Sequence, residues 1–251
     1  MTAPDTHAAS RWFTIPPEER GKIRLFCFPY AGGSSATFRS WGKALAPAVS
    51  VYPAHLPGRE RRLSEKPFTR ALSLVEAAAG AILPYLDRPF AFFGHSMGAM
   101  ISFELARYLR RHNHPQPTHL FISGSRAPQL GFNGAVTYNL PDAEFAEELR
   151  RLNGTPREVL EHPELMGLMT PVLRADFEVC QTYLYTPEPA LDCPVTAFGG
   201  LLDQGVSREM IEAWEEQTTA RFRLWMLPGD HFFVNSAPQQ ILNILSRELQ
   251  R

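Results

Sequence analysis

Short apolar runs alternate with longer amphipathic periods along most of this chain. Residues 23–28, 49–53, 90–93, 120–123, 195–198 and 222–227 are almost unbroken stretches of apolar, strand-favouring side chains. A strand apolar on both faces needs cover on both faces, which is the situation of a parallel sheet between two layers of helices. Between these runs the period lengthens to that of a helix. Apolar residues at 72, 75, 79, 82, 83 and 86 mark one helix over 69–86. Helical spacing also covers 34–45, 97–111, a segment around Trp214, and 241–249. The pattern predicts an α/β fold, with a mostly parallel central sheet flanked by helices. The first twenty residues are largely polar and end Pro16-Pro17-Glu18-Glu19-Arg20, so they are expected to lie loosely on the surface.

One region interrupts the alternation. No strand is legible between 125 and 191, only helical stretches at 142–152 and about 163–183, rich in Leu, Met and Phe. A connection of that length is too long for a plain loop inside a compact domain. It reads as a helical lid inserted at about 128–187 within a single domain spanning 1–251; the alternative is two ordinary crossover helices.

Composition narrows the class. At 251 residues with 44% hydrophobic side chains, the chain is large enough to build a core without disulfides or metal. Its 25 basic and 26 acidic residues leave a net charge of −1, which argues against a nucleic-acid or membrane surface as partner. The three cysteines, Cys27, Cys180 and Cys193, are scattered and suit a reducing compartment. The N-terminus lacks the basic and apolar regions of a secretory signal, and no apolar run has membrane-spanning length. The expectation is a soluble, cytoplasmic monomer with no metal and no cofactor.

The sharpest chemical signal is Gly94-His95-Ser96-Met97-Gly98, set between an apolar strand and a helix. A nucleophilic serine on such an elbow sits on a tight strand-to-helix turn, and glycines on either side let strand and helix approach. A serine hydroxyl needs a base. Of eight histidines, His231 follows the last strand in Leu227-Pro228-Gly229-Asp230-His231-Phe232, at the carboxyl end where such a base belongs. His95 adjoins the serine, and on so tight a turn its ring should point away from the hydroxyl. The orienting carboxylate is read as Asp203, after strand 195–198. Asp230 lies too close to His231 in sequence, and Asp192 precedes its strand. The order Ser96, Asp203, His231 is that of the α/β-hydrolase triad. Oxyanion donors are expected from the N–H of Met97 and from the loop Pro29-Tyr30-Ala31-Gly32-Gly33, assigned to the N–H of Ala31.

These residues resemble a known family. Phe28-Pro29-Tyr30-Ala31-Gly32-Gly33-Ser34, Leu56-Pro57-Gly58-Arg59-Glu60, Phe92-Phe93-Gly94-His95-Ser96-Met97-Gly98, Leu173-Arg174-Ala175-Asp176 and Pro228-Gly229-Asp230-His231-Phe232-Phe233 are similar, in order and spacing, to the type II thioesterases. Those are stand-alone editing enzymes of polyketide synthases and nonribosomal peptide synthetases. The similarity runs from about residue 12 to the end. Asp230 stands where the family usually has glycine, Leu202 replaces more polar residues, and Arg59 is read as structural.

The resemblance implies the α/β-hydrolase fold and hydrolysis of acyl thioesters on the phosphopantetheine arm of an acyl carrier protein or peptidyl carrier domain, which clears stalled or aberrant acyl groups. It maps the triad onto Ser96, Asp203 and His231. Met166, Leu168, Met169, Leu173 and Phe177 are candidate lining of an apolar acyl site under the lid, or simply lid core. Arg59, Arg61 and Arg62, with Arg150, Arg151 and Arg157, are candidate contacts for an acidic carrier helix. The alternatives are a chain-releasing medium-chain fatty acyl or acyl-CoA thioesterase, an oxyester esterase on the same fold, or a non-catalytic carrier-binding module.

Overall fold

The computed structural model describes residues 11–16, 20–152, 154 and 157–250. Strands β1 (Ile23–Phe28), β2 (Val49–Pro53), β3 (Phe90–His95), β4 (His119–Ser123), β5 (Val195–Gly200) and β6 (Phe222–Leu227) form one parallel sheet in the order β2-β1-β3-β4-β5-β6. All six predicted strands are present, three of them longer than the apolar run that marked them. The helices are α1 (Trp41–Leu45), α2 (Ala71–Ile82), α3 (Met97–Arg111), α4 (Asp142–Leu152), α5 (Arg157–Leu160), α6 (Pro163–Gln181), α7 (Arg208–Glu212), α8 (Phe233–Ser236) and α9 (Pro238–Leu249).

The unbroken apolar runs are explained by two separate cores. Phe26, Phe28, Phe90, Phe92, Leu120 and Ile122 point to one face and pack with α2 and α3. Leu25, Cys27, Ala91, Phe93 and Phe121 point to the other, against Phe38, Trp41 and the Ile241 and Leu245 side of α9. Successive residues of a strand thus serve opposite layers. Strand β6, at the edge, is only partly buried and leaves Trp225 39% exposed.

The strand order places the functional region. The chain leaves β1 in one direction to form β2, then crosses back to form β3 on the other side of β1. A crevice opens at the carboxyl ends of the strands where the order reverses, between β1 and β3. The loops that follow these two strands carry Tyr30–Gly33 and Ser96.

Three local expectations are corrected. The first twenty residues are not uniformly loose, although 1–10 and 17–19 lie outside the described residues. Trp12 and Phe13 are buried; Phe13 bridges Ala54 and packs edge-on against Phe26 and Phe28. The single helix expected over 34–45 is a 3₁₀ turn, Ser35–Phe38, followed by α1. Phe38 and Trp41 both pack edge-on against Phe93, and a three-residue spacing on one side suits the tighter helix. The helix expected over 69–86 stops at Ile82, and a 3₁₀ turn containing Pro84 completes the segment.

Between β4 and β5 the described residues contain α4, α5 and α6 and no strand. Phe145 and Leu149 of α4 and Leu173 of α6 make a small third core, joined by Leu160, Met166, Met169 and Phe177. The far end of α6 reaches the main body, where Val179 is buried among the residues of the α2–α3 core.

Candidate active site

The chain is strained where the nucleophile is expected. Ser96 has φ 54° and ψ −113°, in the region that glycine favours, and α3 begins at the next residue. The turn is held from below by the Ser96 N–H, which donates to the Ser123 carbonyl at 2.7 Å. The flanking glycines are required by close approach. A Cβ on Gly94 would lie 2.0 Å from the Gly98 carbonyl oxygen, and one on Gly98 would lie 2.0 Å from the Phe28 carbonyl oxygen.

Three loops from distant parts of the chain meet at this turn. The Ser96 hydroxyl lies 3.1 Å from His231 Nε2, and the opposite ring nitrogen of His231 donates to Asp203 Oδ2 at 2.7 Å. Oδ1 of Asp203 accepts from the N–H groups of Gly205 and Val206 at 2.8 and 3.1 Å. Burial pushes the Asp203 carboxyl up, but the hydrogen bond and charge of His231, with the two amides, outweigh it and hold it below the usual aspartate value. Asp203 is therefore an ionised acceptor at neutral pH. It fixes the proton of His231 on Nδ1 and leaves Nε2 free to take the serine proton.

Asp230, the rival carboxylate, is directed elsewhere: its Oδ1 accepts the Phe232 N–H at 2.9 Å. Its backbone is unstrained because the left-handed turn falls on Gly229, φ 119°, so a non-glycine residue fits at 230. Leu202 is 64% exposed and lies at the mouth of the cavity beside Asp203. His55, which follows β2, is bound instead to Glu60 and to Thr14.

The loop after β1 is anchored so that its amides are shared out. Gly33 N–H donates to the Tyr30 carbonyl at 2.8 Å, and Gly32 N–H donates to Asp176 Oδ2 at 2.7 Å. Ala31, which lines the same cavity as Ser96, keeps its N–H as the expected donor of this loop. Met97 N–H, at the first position of α3, is one of the amides that a helix start directs outward.

Asp176, on α6, also takes a two-pronged ion pair from Arg59, at 2.7 and 2.8 Å, while Arg59 donates to the Gly33 carbonyl at 3.0 Å. The two charged side chains are 10% and 4% exposed, so each depends on the other. Arg59→Ala would strand a buried carboxylate. We expect a loss of about 3–5 kcal/mol in urea unfolding at pH 7. A loss under about 1 kcal/mol would mean that the pair is not the anchor of this loop.

The serine opens into a cavity of about 660 Å³ lined by Tyr30, Ala31, Phe132, Leu149, Leu152, Phe177, Cys180, Gln181 and Phe232, among others. Of the expected lid lining, Phe177 is there. Met166 and Met169 instead pack into the third core, Leu173 is buried over Gly32, and Leu168 is 61% exposed. The helical period identified an apolar face but not which neighbour it would meet.

The arginines expected to meet a carrier differ in their surroundings. Arg59 and Arg62 are buried, the latter between Glu65 and the ring of Trp12, and Arg61 donates to the Phe13 carbonyl. Arg150 and Arg151 are exposed and pair within their own helix with Glu147 and Glu148. The side chain of Arg157 lies outside the described residues.

A sheet with its nucleophile elbow at the β1/β3 crevice and a serine, histidine and aspartate in hydrogen-bonded sequence define an enzyme of the serine-hydrolase type. The model of the thioesterase domain family matches residues 23–249, so the chain belongs to the thioesterases. It is 44% identical to the gramicidin S biosynthesis protein GrsT of Aneurinibacillus migulanus over 96% of this chain and 94% of that protein. Among solved structures, the RedJ thioesterase of the prodiginine pathway in Streptomyces coelicolor superposes with a TM-score of 0.87 at 42% identity, covering 93% of each chain. The type II thioesterase BorB of the borrelidin cluster superposes with a TM-score of 0.87 at 33% identity, covering 99% of this chain and 100% of that one. The chain is a thioester hydrolase with the α/β-hydrolase fold, similar throughout to type II thioesterases.

Proposed function

We propose that this enzyme hydrolyses acyl thioesters carried on the phosphopantetheine arm of acyl carrier protein or peptidyl carrier domains, clearing aberrant or stalled acyl groups from a polyketide or nonribosomal peptide assembly line. The observation that carries the chemistry is the relay from Ser96 through His231 to Asp203, facing a largely apolar cavity. Similarity to RedJ and BorB supports the choice of substrate.

In this reading Ser96 Oγ attacks the thioester carbonyl as His231 Nε2 takes its proton. The tetrahedral oxyanion is held by the N–H groups of Met97 and Ala31. His231 returns the proton to the departing thiol, and the acyl group remains as an ester on Ser96. Water then attacks as His231 Nε2 takes its proton, the second tetrahedral intermediate collapses with cleavage of the bond to Ser96 Oγ, and His231 returns the proton to that oxygen as the acid leaves. The helical segment between β4 and β5 acts as the lid of the acyl site, with Phe177, Leu149 and Leu152 as its apolar wall.

The test compares one acyl group on a carrier protein, on coenzyme A and as a simple oxyester. The expected result is the highest kcat/KM on the carrier. Equal efficiency on carrier and coenzyme A would favour an acyl-CoA thioesterase, and preference for the oxyester would favour an esterase.

A further inference from the structure

The residue before the nucleophile does more than complete the turn. His95 is fully buried, and both ring nitrogens are engaged. Nε2 lies 2.9 Å from the main-chain carbonyl oxygen of His231, and Nδ1 lies 2.9 Å from Ser123 Oγ. A carbonyl can only accept, so Nε2 carries the proton. Nδ1 is then an acceptor, and the Ser123 hydroxyl donates to it. Ser123 meanwhile holds the elbow itself, since its carbonyl accepts the Ser96 N–H.

The ring has little freedom to do anything else. Tyr30 and Phe233 meet it edge-on, with centroids at 5.8 and 5.2 Å, and a Cβ on Gly124 would lie 2.7 Å from its Cε1. Burial first, and then the nearby charge of His231, pull its pKa down to about 3, so it stays neutral when His231 charges. That matters because the two rings are 5.4 Å apart.

We propose that His95 is a positioning residue for the catalytic base: its Nε2–H fixes the His231 peptide at a set distance from the elbow that carries Ser96. The two restraints on His231 are different in kind. Asp203 sets the tautomer and rotation of the imidazole, whereas His95 sets where the backbone bearing it lies. Since His95 and Ser96 are consecutive, the nucleophile and the anchor of its base move as one unit. The inference rests on Ser96 and His231 being the working pair.

The test uses the full-length enzyme with an acyl N-acetylcysteamine thioester and a fluorophosphonate probe. His95→Phe keeps a ring and removes the donor. His95→Gln places a carboxamide N–H near the position of Nε2. For His95→Phe we expect kcat to fall by up to about a hundredfold with KM within about twofold, the scale of a misplaced base. Labelling of Ser96 should slow in parallel, and His95→Gln should recover most of the loss.

A purely space-filling histidine predicts otherwise: equal impairment in both variants, or a folded His95→Phe enzyme with wild-type kcat, would overturn the proposal. If His95→Phe does not fold, nitrogen NMR of the wild-type ring decides. A neutral ring protonated on Nε2 supports the anchor, and one protonated on Nδ1 overturns it. Wild-type enzyme that leaves Ser96 unlabelled would instead remove the triad reading itself, and the proposal with it.

Discussion

Ser96→Ala is expected to lower kcat/KM for thioester hydrolysis by at least about a thousandfold, or about 4 kcal/mol of transition-state stabilisation, with little change in unfolding. The loss is large because no neighbouring group can replace the hydroxyl: His231 Nε2 faces Ser96 Oγ directly, and the Asp203 carboxylate is occupied by His231 and two amides. What remains is substrate binding and the proposed oxyanion donors. The fold should survive because the turn is held by main-chain contacts, the Ser96 N–H to Ser123 and the approaches of Gly94 and Gly98, none of which uses the hydroxyl. The check is steady-state kinetics beside mass spectrometry of the fluorophosphonate-treated protein. An adduct on any residue other than Ser96 would sink the assignment.

The elbow could be read from the sequence because its steric demands are local. Only glycine fits at 94 and 98, and the strand before announces itself as an unbroken apolar run and the helix after by its period. Asp203 and His231 were legible for a related reason: the carboxyl ends of parallel strands converge, so position after a strand stands in for position in space. Features set by partners far along the chain had no such proxy. The Arg59–Asp176 pair joins residues 117 apart, and nothing in the charge run 59–62 distinguishes arginines that will be buried from those that will face water. The ring of His95 could be placed away from the serine hydroxyl, but the carbonyl it serves is 136 residues away. The residues at 166–177 are a different case. A helix shared between a small core, the loop after β1 and a cavity has apolar residues in several directions, and periodicity alone does not divide them. The buried Trp12 and Phe13 are a further signal in the sequence: two large aromatics in a polar lead-in need a surface to cover, supplied to Phe13 by Phe26 and Phe28 and to Trp12 by Phe68 and the Arg62 guanidinium.

Asp203→Asn carries the second large effect, a fall in kcat of up to about four orders of magnitude in a folded enzyme. The surroundings dictate how the amide must sit. Two backbone N–H groups, of Gly205 and Val206, point at Oδ1, so the asparagine oxygen has to occupy that position and its NH₂ must replace Oδ2. The NH₂ would then face His231 Nδ1 as a donor and demand a lone pair there. The ring proton moves to Nε2, where it confronts the serine hydroxyl, and the base can no longer accept from Ser96. Asp230→Asn tests the alternative carboxylate. The Asp230 side chain accepts only a main-chain N–H in its own turn, and an asparagine oxygen accepts it as well. Its kcat is expected within about threefold of wild type, since a surface turn bond is worth about 1 kcal/mol or less. Measuring kcat for both variants at one pH, with far-ultraviolet circular dichroism to verify folding, compares the two carboxylates directly. If Asp230→Asn were the more damaging, the orienting role would belong to Asp230, and the 2.7 Å contact between His231 and Asp203 would not be the one that works in the enzyme.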